Sequence, residues 1–154
     1  MAGKDKQICV YDTTLRDGNQ AIGISLSCAD KLALAERLVD AGLPVLEGGW
    51  PTPSNAVDNE FFDKVKKRPC RDRIAVFGST RRKGVRCGDD PLLQMMVKAG
   101  TAAATIFGKS WDLHVKKVIG TSLSENLDMI AETVAFLRRS FDTVYYDAEH
   151  FFDG

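Results

Sequence analysis

Short apolar runs alternate with helix-patterned stretches along the whole chain, and this alternation limits the fold more than any other feature. The apolar runs are QICVYDT (7–13), LPVLEGG (43–49), RIAVFGS (73–79), AAATIFG (102–108) and DTVYYDAE (142–149). Between them lie SCADKLALAERLVDAG (27–42), NAVDNEFFDKVKK (55–67), DDPLLQMMVKAG (89–100) and SLSENLDMIAETVAFLRRS (122–140), each with apolar residues at helical spacing. The order βαβαβαβαβ predicts a parallel sheet covered by helices. Two architectures share it: an open doubly wound sheet, or part of a (β/α)8 barrel.

Local signals place the helix ends. Ser27 with Asp30 three residues on predicts a capped start, and Gly42 a stop. Val57, Phe61 and Val65 form the expected buried stripe of the second helix. Asp90 before Pro91 predicts the third start, and Gly100 its end. Ser122 and Glu125 read as a capping box for the last helix, with Leu127, Ile130, Val134 and Leu137 as its stripe. WDLHVKKV (111–118) reads as a short helical piece. There is no linker, low-complexity tract or close repeat.

The bulk numbers exclude several functions. Of 154 residues, 44% are hydrophobic, enough for one domain with a core. Basic and acidic residues balance at 21 each, which gives no electrostatic case for nucleic acid or an anionic membrane. No apolar run is long enough to span a bilayer, and the start MAGKDKQICV lacks the apolar core of a secretory signal. The four cysteines form no C-x-x-C pair, so they read as buried or idle thiols of a cytoplasmic protein.

Both candidate architectures place chemistry beyond the C-terminal ends of the strands. Those ends carry Arg16 and Asp17, Glu47, Ser79 and Thr80, Lys109 and Ser110, then Asp147, Glu149 and His150. Polar groups from every strand on one rim point to an enzyme acting on small molecules. FGKS (107–110) ends like a phosphate-binding loop, but residue 103 is Ala103 where that pattern needs glycine. Arg81, Arg82 and Lys83 read as an exposed basic loop, with an anion site as the alternative. His114 and His150 lack metal-ligand spacing, and Asp17 alone makes no cation site.

The stretch DTTLRDGNQ (12–20) after the first strand resembles the signature of the 2-isopropylmalate, homocitrate and citramalate synthases. Hydroxymethylglutaryl-CoA lyase shares their broader superfamily of metal-dependent (β/α)8 barrels. EGGWP (47–51), FGSTRRKG (77–84), FGKSWDLHV (107–115) and YDAEHFFDG (146–154) extend the resemblance over nearly the whole chain, with the citramalate branch most similar. The fold it implies is α/β, the N-terminal part, about five βα units, of a (β/α)8 TIM barrel. The activity it implies is condensation of acetyl-CoA, as co-substrate, with a 2-oxo acid, pyruvate giving citramalate, in branched-chain amino-acid biosynthesis. A 2-isopropylmalate or homocitrate synthase, an aldol-type lyase and a non-catalytic half-barrel are the alternatives.

Carried onto this sequence, the resemblance makes Asp17 the ligand of a divalent metal (Mg, Mn or Zn). Arg16 steadies the carbonyl or enolate oxygen, and Glu149 takes part in acid/base chemistry or organises it. Gln20 borders metal and substrate, and Glu47 lies near the keto-acid pocket. Thr80 and Lys109 complete the expected substrate-binding set.

One departure stands out. The family's H-x-H metal pair on a later strand is not among these 154 residues, and a full barrel takes about 250. Residues 1–154 are therefore expected to be a partial catalytic domain, truncated before the remaining strands and a regulatory region. A partial barrel leaves its first and fifth strand edges open, so a homo-oligomer is expected.

Overall fold

A computed structural model describes residues 8–154. Five strands are present: β1 (Tyr11–Asp12), β2 (Val45–Gly49), β3 (Ile74–Ser79), β4 (Ala103–Lys109) and β5 (Thr143–Glu149). They pair in the order β1-β2-β3-β4-β5, every pair parallel. A sequential parallel order is that of a barrel wall; a doubly wound sheet would reverse direction at its first strand. The chain is five units of such a wall, an open half-barrel.

The helices are α1 (Cys28–Asp40), α2 (Ala56–Val65), α3 (Pro91–Ala99), the short α4 (Asp112–His114) and α5 (Leu123–Leu137). A π-helical turn, Val115–Ile119, extends α4. One continuous core gathers Leu32 and Ala35 of α1, Phe61 and Val65 of α2, Leu93 and Met96 of α3, and Leu137 of α5. The strand residues in that core are Leu46, Ile74, Val76, Ala104 and Ile106, one face of the sheet only. Period-two alternation therefore turns Glu47, Phe77, Thr105, Phe107, Lys109 and Tyr145 to the opposite, concave face.

Sequence signals account for most helix starts. Ser27 and Asp30 form the reciprocal capping box, Asp90 accepts from the Leu92 amide ahead of Pro91, and Gly100 ends α3 in the left-handed region. Gly78 lets α3 lie close against the sheet. A Cβ there would stand 2.3 Å from Met96 Sδ, closer than any side chain can approach.

Four expectations need correction. The first strand is two residues long rather than seven; Gln7 lies outside the described residues, and Ile8 is 86% exposed. Pairing with β2 starts at Tyr11↔Val45, and Pro44 just before lacks an amide to continue it. In α2 the buried face is Asp58, Phe61, Phe62 and Val65, while Val57 is exposed. In α5 it is Asn126, Met129, Thr133 and Leu137, one step round from the expected stripe, and Leu127 is exposed. Asn126 Nδ2 donates to the Lys109 carbonyl and Thr133 Oγ1 accepts from the Arg81 amide, so strand-end backbone groups decide the helix's rotation. The Ser122 box is half made: the Glu125 amide donates to Ser122, but the Glu125 carboxylate turns to Arg81.

Candidate active site

The loop after β1 curls because Thr13 O accepts the amides of Arg16, Asp17 and Gly18, at 3.2, 2.9 and 3.0 Å. This tight turn places the two neighbouring side chains at different depths while they stay in contact. Arg16 enters the concave face with 18% of its side chain exposed, and Asp17 stays on the rim at 61%.

Arg16 is fixed on three sides. Its Nε donates to Glu47 Oε1, its Nη1 donates to Asp17 Oδ1 at 3.0 Å, and the guanidinium carbon lies 3.8 Å from the centre of the Phe77 ring. Glu47 is 2% exposed in β2, and its other oxygen accepts from Tyr11 Oη at 2.6 Å. Tyr11 Oη is also within hydrogen-bond reach of Thr105 Oγ1. Burial, then the Glu47 carboxylate at its oxygen, pushes the Tyr11 hydroxyl well above the ordinary tyrosine range. A buried carboxylate with one cation and one hydroxyl donor aligns the guanidinium and leaves its remaining N–H groups free.

An aromatic layer backs this cluster. Phe77 and Phe107 stack at 5.4 Å, and Trp50 meets them edge-on at 5.8 and 5.4 Å. Further round the wall, Lys109 Nζ donates to Glu149 Oε2, a second ion pair at the strand ends. A cavity of about 400 Å³ lies over Tyr11, Arg16, Glu47, Thr105, Tyr145 and Asp147. A neighbouring cleft of about 370 Å³ between the β1 and β2 loops is bordered by Arg16, Gln20, Trp50 and Asn55.

The structure thus brings Arg16, Asp17 and Glu47 into one cluster, with Gln20 on the adjoining cleft and Lys109 bonded to Glu149. Thr80 stands apart: its amide bonds to the Phe107 carbonyl, and its methyl packs beside Gly108 on the way to the helix layer. The basic loop divides: Arg82 and Lys83 are exposed, as expected, while Arg81 is drawn inside. Arg81 is 5% exposed and donates to Glu125 and Glu132, Arg82 pairs with Asp90, and Lys83 donates to the Gly120 carbonyl. Tyr11, Trp50, Phe77 and Thr105 escaped the sequence reading, since no local spacing links them.

Among the described residues no three His, Cys, Asp or Glu side chains gather to hold a metal ion. These residues do not build a cation site by themselves; Asp17 offers one exposed carboxylate. No helix among them is long and apolar enough to cross a membrane.

A family model described as HMGL-like matches residues 7–153. The (R)-citramalate synthase of Aquifex aeolicus is 51% identical over 97% of this chain, and that of Synechocystis 51% identical over 100% of this chain. The 2-isopropylmalate synthase of Saccharolobus solfataricus is 28% identical over 88% of the chain. This chain spans 28% of the length of each of those two citramalate synthases. The solved hydroxymethylglutaryl-CoA lyase of Pseudomonas aeruginosa shares the fold, with a TM-score of 0.67 at 21% identity over 92% of this chain and 45% of that one.

Proposed function

The chain belongs to the HMGL-like family, and on that premise we propose that it carries the Arg16 half of an acyltransferase site that condenses acetyl-CoA with pyruvate to citramalate. The observation that carries the reading is the pairing of Arg16, clamped inside the concave wall by Glu47, with Asp17, presented on its rim 3.0 Å away. Identity favours the citramalate branch, at 43–51% against 28–29% for the 2-isopropylmalate synthases.

The chemistry assigned to these residues is modest. Arg16, held by Glu47 and Phe77, directs its free N–H groups at the carbonyl oxygen of the 2-oxo acid and offsets the charge that grows there as the new C–C bond forms. The acetyl methyl group gives up a proton, its carbon attacks the carbonyl, and water then cleaves the thioester to release free CoA. Glu149, fixed through one oxygen by Lys109, keeps the other available to organise that proton transfer. Gln20 borders the adjoining cleft that Arg16 also lines, and Thr80 acts from outside the pocket by fixing the β3–β4 rim. A divalent cation (Mg, Mn or Zn) would act as Lewis acid and would take Asp17 from this chain.

The protein is further assigned to the cytoplasm, supported by buried free thiols at Cys28, Cys70 and Cys87, and to a homo-oligomer, supported by its open strand edges.

The test is a chimera in which residues 8–154 replace the matching stretch of the Aquifex aeolicus synthase. Thiol release from acetyl-CoA should be faster with pyruvate than with 2-oxoisovalerate. A folded chimera that prefers the branched acid, or releases no thiol, defeats the reading.

A further inference from the structure

Behind the aromatic layer a second charged pair is sealed from solvent. Lys31 of α1 is 0% exposed and donates to Asp58 Oδ1 of α2, itself 6% exposed. The other carboxylate oxygen faces the sheet. Asp58 Oδ2 accepts from the Trp50 amide and from Asn55 Nδ2, each at 2.8 Å, and Asn55 Nδ2 also reaches the Trp50 carbonyl at 3.2 Å.

The sequence is shaped to admit that carboxylate. Gly49 sits at φ +152°, and a Cβ there would lie 2.6 Å from the Asp58 carboxylate. The register between β2 and β3 slips at the same point, between Glu47 and Gly49. The strand therefore ends in a bulge whose outgoing peptide is tied from below. A buried ion pair is a poor device for stability alone, because an apolar pair of equal volume does as well or better. Fixing the direction in which Trp50 leaves the sheet is something an apolar pair cannot do.

We propose that Asp58 is a positioning residue of the candidate site. Lys31 orients the carboxylate, the carboxylate fixes the Trp50 backbone, and the Trp50 ring presses on Phe77, the ring on which Arg16 lies. The consequence for Arg16 in catalysis rests on the synthase reading; the placement of Trp50 does not.

The test uses this chain with Trp111→Phe, which leaves Trp50 as the single indole. Two double variants separate charge from acceptor. Lys31→Met with Asp58→Asn removes both charges but keeps an oxygen for the Trp50 amide; Lys31→Met with Asp58→Leu removes charge and acceptor together. The first should keep the parent's fluorescence maximum and iodide quenching. The second should shift emission to longer wavelength and quench more readily, with far-UV circular dichroism unchanged. Equal spectra and quenching for both variants would overturn the proposal. A further arm needs no substitution at the pair: the Trp50 amide should exchange hydrogen as slowly as the β2 amides, and exchange at the rate of an open loop would also overturn it. In the chimera, the leucine variant should lower kcat with KM for pyruvate unchanged. A chimera already silent before substitution would fail the synthase reading and leave the fluorescence result standing.

Discussion

The Arg16 guanidinium carbon lies 3.8 Å from the centre of the Phe77 ring while its Nε is held by Glu47, so both the plane and the rotation of the group are set before any substrate arrives. A lysine ammonium is a point charge on a flexible stem and reproduces neither constraint. Arg16→Lys in the chimera should lower kcat by on the order of 10²-fold or more, the usual loss when an oxyanion donor is removed. Free-thiol release with acetyl-CoA and pyruvate measures it, and a normal rate would remove Arg16 from the assigned role.

The Asp17 side chain is 61% exposed, and among the described residues its ion pair is with its neighbour Arg16. Asp17→Asn should therefore shift unfolding free energy by less than about 0.5 kcal/mol. The same change should abolish the response of thiol release to added divalent cation. Urea denaturation reads the first quantity and a metal titration the second. A large loss of stability with a normal cation response would reverse the assignment.

Tyr11 gives a pH signature. The folded chain keeps the Tyr11 proton above the pH, about 10, at which the unfolded chain gives it up. Its stabilising contribution is then complete below that pH and is lost as pH rises further. Cys28, Cys70 and Cys87, pushed up by burial, add a fall of the same sign starting nearer about pH 8.5. Tyr11→Phe should lower stability at pH 8 by about 1–3 kcal/mol, since Glu47 loses its hydroxyl donor. It should also flatten the alkaline fall above about pH 10, leaving the thiol part. Urea midpoints from pH 7 to 11 check both effects; an unchanged alkaline slope would separate Tyr11 from it.

Beyond β5 an apolar face remains uncovered, with Leu127 at 65%, Phe151 at 66% and Phe152 at 97% exposure. The 154-residue chain on its own should self-associate and release no thiol from acetyl-CoA and pyruvate. Light scattering on a size-exclusion column reads the assembly, and Phe152→Ser should weaken it. A monomer at high concentration, or turnover by the isolated chain, contradicts the expectation.

What could be read from the sequence was what neighbouring residues decide. Ser27 with Asp30, Asp90 with Pro91, and Gly100 satisfy helix ends within a turn, so their pattern suffices. The parallel sheet followed from the repeated βα unit, and the barrel order from the family resemblance. The rotation of α5 did not, because Asn126 and Thr133 answer to backbone groups of residues 109 and 81. The site divides the same way: Arg16 and Asp17 share a local motif, whereas Glu47 and Thr105 meet at the Tyr11 hydroxyl from 36 and 94 residues along the chain. No local pattern marks Lys31 and Asp58; only the packing of α1 on α2 buries them.

The contact of Gly78 with Met96 has a consequence for how this sequence can drift over generations. With 2.3 Å between the sulfur and the place a methyl group would occupy, alanine at 78 requires the side chain at 96 to move or to shorten. A shortened residue at 96 in turn leaves a void until 78 grows. The two positions are coupled characters: lineages should favour glycine with a long residue or alanine with a short one, and the mixed pairs should be depleted in any library selected for folding.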